Sequence, residues 1–474
     1  MKVRLAAETE TQPEPGFDRR YVVLLSLTAA LGGLLFGYDW VVIGGAKPFY
    51  EACFHLVRPA QQAWAMSCAL LGCLVGAGLS GVLSEELGRK RSLLIAAVAF
   101  LVSSLGTALA PGFFQFVLWR IAGGAAIGLA SGLSPVYIAE IAPAAVRGKL
   151  VCLNELTIVI GILLAQSVNW AIARPIPARA TAAMIEHSWN AQIGWRWMFA
   201  ATAIPSFIFL VGMLFVPESP RWLARRGAWH RAQKVLDRIA GPQYAQSVID
   251  EIRGSLDVHR GVSELRQLRD PRMLRILLIG VVLAVLQQWC GINVIFNYAQ
   301  EVFAAAGYTL SSMLFNILIT GITMLVFTFL AIATVERWGR RALMLAGCGG
   351  LASLYAVLGA LYSVHAHGWP LMVLVVAAIA CYAMTLAPVT WVVLAEIFPN
   401  PIRGAAMAIS TMALWAACFV LTYTFPLLDA GLGTARTFWI YAAACLLGFF
   451  FVLAQLPETR QRSLEEIQQF WEKR

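Results

Sequence analysis

Charged residues are scarce in this sequence. Lys, Arg, Asp and Glu make up 13% of its 474 residues, whereas a soluble globular protein carries about 25%. The mean hydropathy is +0.71, and apolar stretches of about 20 residues, long enough to cross a bilayer core of roughly 30 Å, recur along the chain. The composition therefore excludes an ordinary soluble domain and predicts a protein embedded in a membrane.

Metal-binding and nucleophile motifs are also lacking. The nine cysteines are scattered, mostly within apolar stretches, and form no CxxC pair and no Cys/His ligand spacing. The sequence therefore predicts no zinc site, no disulfide framework and no cofactor. It contains no HExxH motif, no nucleophile elbow and no convergent His/Asp set. We expect the protein not to be an enzyme.

The net charge of +10 is unevenly distributed. Basic residues concentrate in alternate loops, namely Arg89-Lys90-Arg91, Arg147 with Lys149, the segment from Arg221 to Arg272, Arg340-Arg341, Arg403 and the C-terminal tail. The intervening loops hold only Lys47, Arg58, Arg174, Arg179 and Arg436. This alternation is the positive-inside pattern, so it predicts that both termini and the middle segment are cytoplasmic. It argues against a nucleic-acid partner. No organelle-targeting segment is visible, and the predicted external loops are short and lack obvious glycosylation sequons, so we expect a bacterial inner membrane as the location.

Twelve membrane spans are predicted, six on each side of a polar middle segment. They cover 20–45, 62–84, 92–111, 114–138, 148–172, 196–216, 273–303, 311–334, 341–364, 370–395, 403–427 and 436–456. The expected organisation is a cytoplasmic N-terminal segment (1–19), a six-helix bundle (20–216), a cytoplasmic helical linker (217–272), a second six-helix bundle (273–456) and a cytoplasmic tail (457–474). Within the tail, Ser463 to Glu466 resembles a capping box, which predicts a short helix.

A charged signature occurs twice in the same order. Gly88-Arg89-Lys90, Glu140-Ile141-Ala142-Pro143 and Pro217-Glu218-Ser219 are matched by Gly339-Arg340-Arg341, Glu396-Ile397-Phe398-Pro399 and Pro457-Glu458-Thr459. A duplicated helix bundle of this kind is typical of secondary transporters. We expect a cytoplasmic charge network that closes this side in one conformation, formed by Arg89, Glu140, Arg147, Glu218, Arg221, Arg340, Glu396, Arg403 and Glu458.

Three ionisable residues fall well inside predicted spans: Asp39, Arg120 and Glu155. A charge at the bilayer centre costs at least about 2.5–3.5 kcal/mol, so such residues face the protein interior and usually have partners. Asp39 and Arg120 have opposite charge and can form either a proton-coupling pair or a static salt bridge. Glu155 has two open interpretations, because it is either drawn toward the cytoplasmic end or faces the solute.

A second group of polar residues lies in the seventh span, which contains Gln287, Gln288, Asn293 and Asn297. Gly291, in the same span, allows the helix to bend. Amides supply both donors and acceptors, so the cluster suits a neutral, hydroxyl-rich solute better than an ion. Two tryptophans in the middle of spans add flat apolar faces on which a sugar can stack. They are Trp391, which follows the helix-interrupting Pro388, and Trp415.

These motifs resemble the sugar porter family of the major facilitator superfamily. The resemblance runs from Phe36-Gly37-Tyr38-Asp39 to Pro457-Glu458-Thr459. It implies an all-α membrane protein with twelve transmembrane helices in two six-helix bundles, cytoplasmic linker helices and alternating access. It also implies that Phe36, Gln287, Gln288, Asn293 and Trp391 line a sugar site, with Tyr298 in the outer gate. In proton-coupled members, an acid like Asp39 pairs with an arginine like Arg120.

The sequence also departs from the family pattern. Glu155 stands where an amide is common, and Ile162, Asn297, Met324 and Leu414 replace other polar residues of the family. The leading expectation is a monomeric importer of a monosaccharide, hexose or pentose, by proton symport. A facilitative uniporter and a proton-coupled polyol or inositol porter stay open, the latter because Asn-Glu-Leu at 154–156 resembles some pentose and inositol porters.

Overall fold

The computed structural model describes residues 16–177, 180–258, 270–308, 310–399 and 402–458, and the regular structure in these ranges is helical. Twelve helical stretches among them are long and apolar enough to cross a membrane. The first bundle contains α1 (Arg19–Cys53), α2 (Pro59–Leu87), α3 (Arg89–Leu109), α4 (Phe113–Ile141), α5 (Ala144–Ile172), α6 (Ala182–Glu186), a π-helix (Asn190–Gly194), α7 (Trp195–Ala200) and α8 (Ala203–Phe215).

The linker helices are α9 (Pro220–Arg225) and α10 (Trp229–Val258). The second bundle contains α11 (Pro271–Trp289), α12 (Ile292–Asn297), α13 (Ala299–Ala305), α14 (Leu310–Trp338), α15 (Arg340–Ser363), α16 (Trp369–Met384), α17 (Leu386–Ile397), α18 (Arg403–Leu432) and α19 (Thr434–Gln455). The predicted all-α fold with two six-helix bundles and linker helices is confirmed. The helix predicted at Ser463 lies outside the described residues.

Helix α1 is longer than the sequence predicts. It continues past Gly45 to Cys53, through Lys47 and Pro48. Assigning Lys47 to a loop was wrong: the side chain is 2% exposed because the carboxylates of Glu51 and Glu301 neutralise its charge. A buried lysine with such partners does not end a membrane helix.

Two spans of the second bundle are broken. Helix α11 ends at Trp289, and Gly291 adopts φ +81° before α12 begins, a left-handed conformation that glycine adopts without steric penalty. The predicted interruption at Pro388 is displaced, because the helix breaks at Thr385 and Pro388 lies inside α17. Pro388 has no amide hydrogen and its ring clashes with the carbonyl four residues earlier, so the helix restarts just before it.

Close backbone approach fixes the first bundle. A Cβ atom added at Gly72 or Gly76 of α2 would overlap the backbone of Ile121 or Ala125 of α4, and one added at Gly124 would overlap the backbone of α2. This is the small-residue packing expected between membrane helices. The two bundles meet where α2 packs against α18 and where α5 packs against α14.

Candidate functional site

A buried ion pair joins α1 to α4. The Arg120 Nη1 atom donates hydrogen bonds to both Asp39 carboxylate oxygens, at 2.7 and 2.9 Å. The guanidinium also lies 5.4 Å from the centroid of the Phe199 ring, and both charged side chains are less than a tenth exposed. A single nitrogen serves both oxygens, so protonation of the carboxylate would remove the main attraction between the two helices at this point. The structure therefore brings together the two residues that the sequence pairs by their charge.

A narrow cavity connects this pair to the second bundle. Its volume is about 10 Å³, and Trp40, Cys73, Arg120 and Asn297 are among the residues that line it. A cavity of roughly 10–15 Å³ is just large enough for one water molecule. Arg120 of the first bundle and Asn297 of α12 therefore face the same space.

The predicted amides form a hydrogen-bonded chain. Gln288 donates to Gln287 Oε1 at 2.6 Å, and Asn293 Nδ2 donates to Gln288 Oε1. Asn293 Nδ2 also lies 3.6 Å from the Cys418 sulfur on α18. The break at Gly291 turns α12 so that side chains five residues apart meet here. Gln287, Gln288 and Asn293 are brought together, and all three are buried.

Three aromatic rings cross the interface between the bundles. The Trp415 ring of α18 lies 5.5 Å from Phe36 and 5.7 Å from Trp40, both on α1. Phe36 and Trp40 are themselves 6.0 Å apart, edge to face. Phe36 and Trp415 were predicted, whereas Trp40 was missed. The signal for Trp40 was its position directly after Asp39, one helical turn from Phe36.

A second polar contact between the bundles was also missed. Gln166 of α5 donates to the Thr320 hydroxyl of α14 at 3.3 Å, and both side chains are at most 2% exposed. An amide in the middle of the apolar fifth span was the available signal. Four buried polar atoms near these contacts have no hydrogen-bond partner among the described residues: Gln166 Oε1, Asn297 Oδ1, Asn316 Nδ2 and Trp415 Nε1. Such atoms are the groups that a hydroxyl-rich ligand can satisfy.

Three further predicted residues, Tyr298, Glu155 and Trp391, lie in different surroundings. The Tyr298 hydroxyl donates to the Thr422 carbonyl at 2.6 Å, which ties α12 to α18. Glu155 is half-buried on α5, and the Tyr382 hydroxyl of the other bundle lies within its electrostatic reach. Trp391 is half-buried on α17, and no ring contact joins it to the Phe36, Trp40 and Trp415 rings among the described residues.

The repeated charges occupy the end of the molecule that we name the motif end, defined by Arg89, Glu140, Arg340 and Glu396. Arg89 pairs with Glu140 at 2.9 Å, and Arg340 pairs with Glu396 at 3.1 Å. Both pairs lie within a bundle, so the repeated signature produces the same contact twice. Ser219, at the start of the linker, donates from its hydroxyl to Glu140 as well.

The remaining acids of the signature bind backbone amides. Glu218 accepts from the Lys90 N–H at 3.0 Å, and Glu458 accepts from the Arg340 and Arg341 N–H groups at 3.0 and 3.2 Å. They therefore neutralise the positive ends of α3 and α15, where carboxylates are stabilising. Gly88 and Gly339, both with positive φ, lie directly before these helices. Sequence reasoning assigned both acids to arginine side chains and missed this capping.

The other members of the predicted network are dispersed. Arg221 lies 3.5 Å from Glu251 on α10, and both side chains are exposed. Arg147 is half-buried, within electrostatic reach of Tyr244 of α10. The side chain of Arg403 lies outside the described residues.

Residues 25–471 match the model of the protein family described as "Sugar (and other) transporter". The chain belongs to this sugar transporter family. It is 38% identical to the D-xylose-proton symporter of Escherichia coli strain K12, over 96% of this chain and 97% of that protein. It is 36% identical to the arabinose-proton symporter of Bacillus subtilis strain 168, over 98% and 99% of the two chains.

The solved structures agree. The inward-open conformation of the xylose transporter XylE from E. coli matches with a TM-score of 0.81 and 37% identity, over 95% of this chain and 100% of that one. This sugar transporter is therefore a multi-pass integral membrane protein of the major facilitator fold, and it is not an enzyme.

Proposed function

We propose that this sugar transporter imports a monosaccharide, a hexose or pentose, by proton symport through alternating access. The observation that carries the proposal is the arrangement around Asn297. This residue follows the amide chain of α11 and α12, and it shares a cavity with Arg120, the partner of Asp39. A solute site and an ionisable pair that adjoin at the interface between two bundles can influence each other's occupancy.

The proposed sugar site contains Gln287, Gln288, Asn293, Asn297 and Trp415, with Phe36 on the opposite bundle. The amides offer donors and acceptors to hydroxyl groups, and the rings of Phe36 and Trp415 offer apolar faces to the C–H surface of a sugar. The symporters of xylose and arabinose among the relatives support a pentose as the first substrate to test. Trp391 and Glu155 belong to the proposed site as residues on its second-bundle and first-bundle walls.

Asp39 and Arg120 supply the proposed coupling. With Asp39 ionised, the pair holds α1 against α4, and with Asp39 protonated, that attraction is lost. When the proton and the sugar each bind the two conformational states with different affinity, both ligands act on the same equilibrium, and their binding is coupled. One charge moved across 100 mV supplies about 2.3 kcal/mol, which is enough to accumulate the sugar nearly fifty-fold.

We place the motif end in the cytoplasm, in a bacterial inner membrane, with bundles at 20–216 and 273–456 joined by the linker at 217–272. The basic residues of the motif end support this orientation. At the opposite end, Tyr298 is the proposed outer gate, because it ties α12 to α18 there. The proposed cytoplasmic charge network contains two ion pairs, Arg89–Glu140 and Arg340–Glu396, together with Arg147, Glu218, Arg221, Arg403 and Glu458. We expect the protein to be a monomer.

Uptake into proteoliposomes tests the proposal. Purified protein would be assayed with labelled xylose, arabinose, galactose and inositol, with and without an inward proton gradient. We expect accumulation of a monosaccharide that needs the gradient, and its loss in Asp39→Asn while counterflow exchange persists. Asp250→Asn, which changes an exposed acid of the linker, is the matched control. If the sugar only equilibrates across the membrane, with or without the gradient, the protein is a uniporter. Transport of inositol alone would establish a polyol porter.

A further inference from the structure

A cluster of three charged residues lies at the end of the molecule opposite the motif end. Lys47 of α1 is 2% exposed and contacts the carboxylate of Glu301 on α13. The same ammonium lies 3.1 Å from Glu51, one helical turn further along α1. The cluster therefore joins the two bundles through Lys47 and Glu301, and it joins α1 to itself through Lys47 and Glu51.

Its position between the bundles distinguishes this cluster from the other buried pairs described above. Arg89–Glu140, Arg340–Glu396 and Arg120–Asp39 each lie within one bundle. Relative movement of the bundles leaves such pairs intact, whereas it must separate Lys47 from Glu301. The backbone is also tightly packed here, since a Cβ atom added at Gly44 would overlap the Phe296 carbonyl on α12.

The cluster adjoins both the proposed gate and solvent-accessible space. The Lys47 ammonium lies 5.6 Å from the centroid of the Tyr298 ring, and the Tyr298 hydroxyl is bound to Thr422 of α18. A cavity of about 320 Å³ lies beside Glu51, lined by residues of α1, α6, α13 and α14. Separation of α1 from α13 would therefore open this end of the molecule directly next to Tyr298.

We propose that Lys47 is a gating latch that releases one of its two carboxylate partners and keeps the other. In the state described here, Lys47 contacts both carboxylates, and its contact with Glu301 closes the end opposite the motif end. When this end opens, Glu301 moves away with its bundle and Glu51 retains the ammonium. Opening removes one of the two carboxylates that balance the ammonium, and Glu51, on the same helix as Lys47, preserves the other ion pair in the open state. Glu301 therefore favours the closed state and Glu51 the open one.

This inference rests on the proposed alternating access, but its test needs neither sugar nor proton gradient. Spin labels would be placed at the exposed Val57 and Val364, one on each bundle at this end, through ketone-bearing residues that leave the native cysteines in place. The distance between the labels would be measured by double electron–electron resonance spectroscopy, with the protein in lipid nanodiscs. Failure of sugar uptake would leave this readout unaffected, so the two proposals can fail separately.

The two carboxylates should act in opposite directions. We expect Glu301→Gln to raise the ratio of long to short distances at least five-fold, and Glu51→Gln to lower it at least three-fold. Glu301→Asp, which keeps the charge and shortens the side chain, should shift the ratio in the direction of Glu301→Gln by a smaller amount. It also serves as the test variant should Glu301→Gln fail to fold. Glu186→Gln alters an acid of the same end that lies 3.8 Å from His55 within one bundle, so it should change nothing.

Removal of the shared cation provides the final comparison. In a Lys47→Met background, the opposite effects of the two glutamine substitutions should disappear, because both carboxylates act through the same ammonium. Shifts of equal direction for Glu301→Gln and Glu51→Gln in the native background, or no shift in either, would overturn the latch.

Discussion

The rings of Phe36 and Trp415 lie 5.5 Å apart and belong to different bundles. Their contact closes the aromatic side of the proposed sugar site from both bundles at once. Movement of the bundles changes the distance between the two rings. The affinity for a sugar stacked on Trp415 therefore depends on the conformation of the protein. This relationship gives the first prediction.

Replacing Trp415 by Ala should weaken sugar binding about ten-fold or more, because it removes a stacking face and the indole N–H, which has no hydrogen-bond partner in the part of the chain that the structure describes. Aromatic contacts contribute about 0.5–1.5 kcal/mol beyond their buried area. Trp415→Phe should retain most of the affinity. Binding measured by calorimetry gives the result, and Trp369→Ala, at a tryptophan that is 74% exposed, is the matched control. Unchanged affinity in Trp415→Ala would remove this residue from the site.

The amide chain gives a second prediction. Asn293→Ala should lower sugar affinity by roughly 1–3 kcal/mol, because it removes a hydrogen bond to the solute and also releases Gln288. The affinity for a matched deoxy sugar lacking the contacted hydroxyl should fall less, which separates a direct contact from a general loss of structure. Gln246→Ala, at an exposed amide of the linker, is the control. Equal losses for every sugar tested would contradict direct contact.

Glu155 offers a third prediction, because it stands where the family commonly has an amide. The structure places it half-buried on α5, within electrostatic reach of Tyr382 on the other bundle. We expect Glu155→Gln to keep gradient-driven accumulation and to change the relative uptake of pentoses, hexoses and inositol by several-fold. Uptake competition in proteoliposomes measures this. Loss of accumulation with exchange intact would instead make Glu155 a second coupling residue.

The repeated ion pairs predict a stability effect. Arg89→Met should destabilise the protein by about 3–5 kcal/mol, because it leaves the largely buried Glu140 carboxylate without its cation. The double variant with Glu140→Gln should recover most of that loss. Arg226→Met removes an exposed partner of Glu86 and should cost no more than about 1 kcal/mol. Thermal unfolding in detergent compares the three, and equal losses for Arg89→Met and Arg226→Met would contradict a buried pair.

Much of the architecture was predictable from local sequence. The apolar runs determined the twelve spans, because only such segments are stable in hydrocarbon. Asp39 and Arg120 were predicted to pair because two opposite charges inside apolar spans are each too costly alone. The amides of α11 and α12 were recognisable for the same reason, since polar groups in lipid need partners.

Other features depend on distances that local sequence does not encode. Lys47 and Glu301 are 254 residues apart, and only the packing of α1 on α13 shows that Lys47 belongs to a buried helix and not to a loop. The capping of α3 and α15 by Glu218 and Glu458 was likewise not predictable. A carboxylate can bind either the N-terminus of a helix or an arginine side chain. The sequence by itself determined which residues must be buried and neutralised. The tertiary structure decided which partner neutralises each of them, because several partners of the right charge are available and only the helix packing selects one.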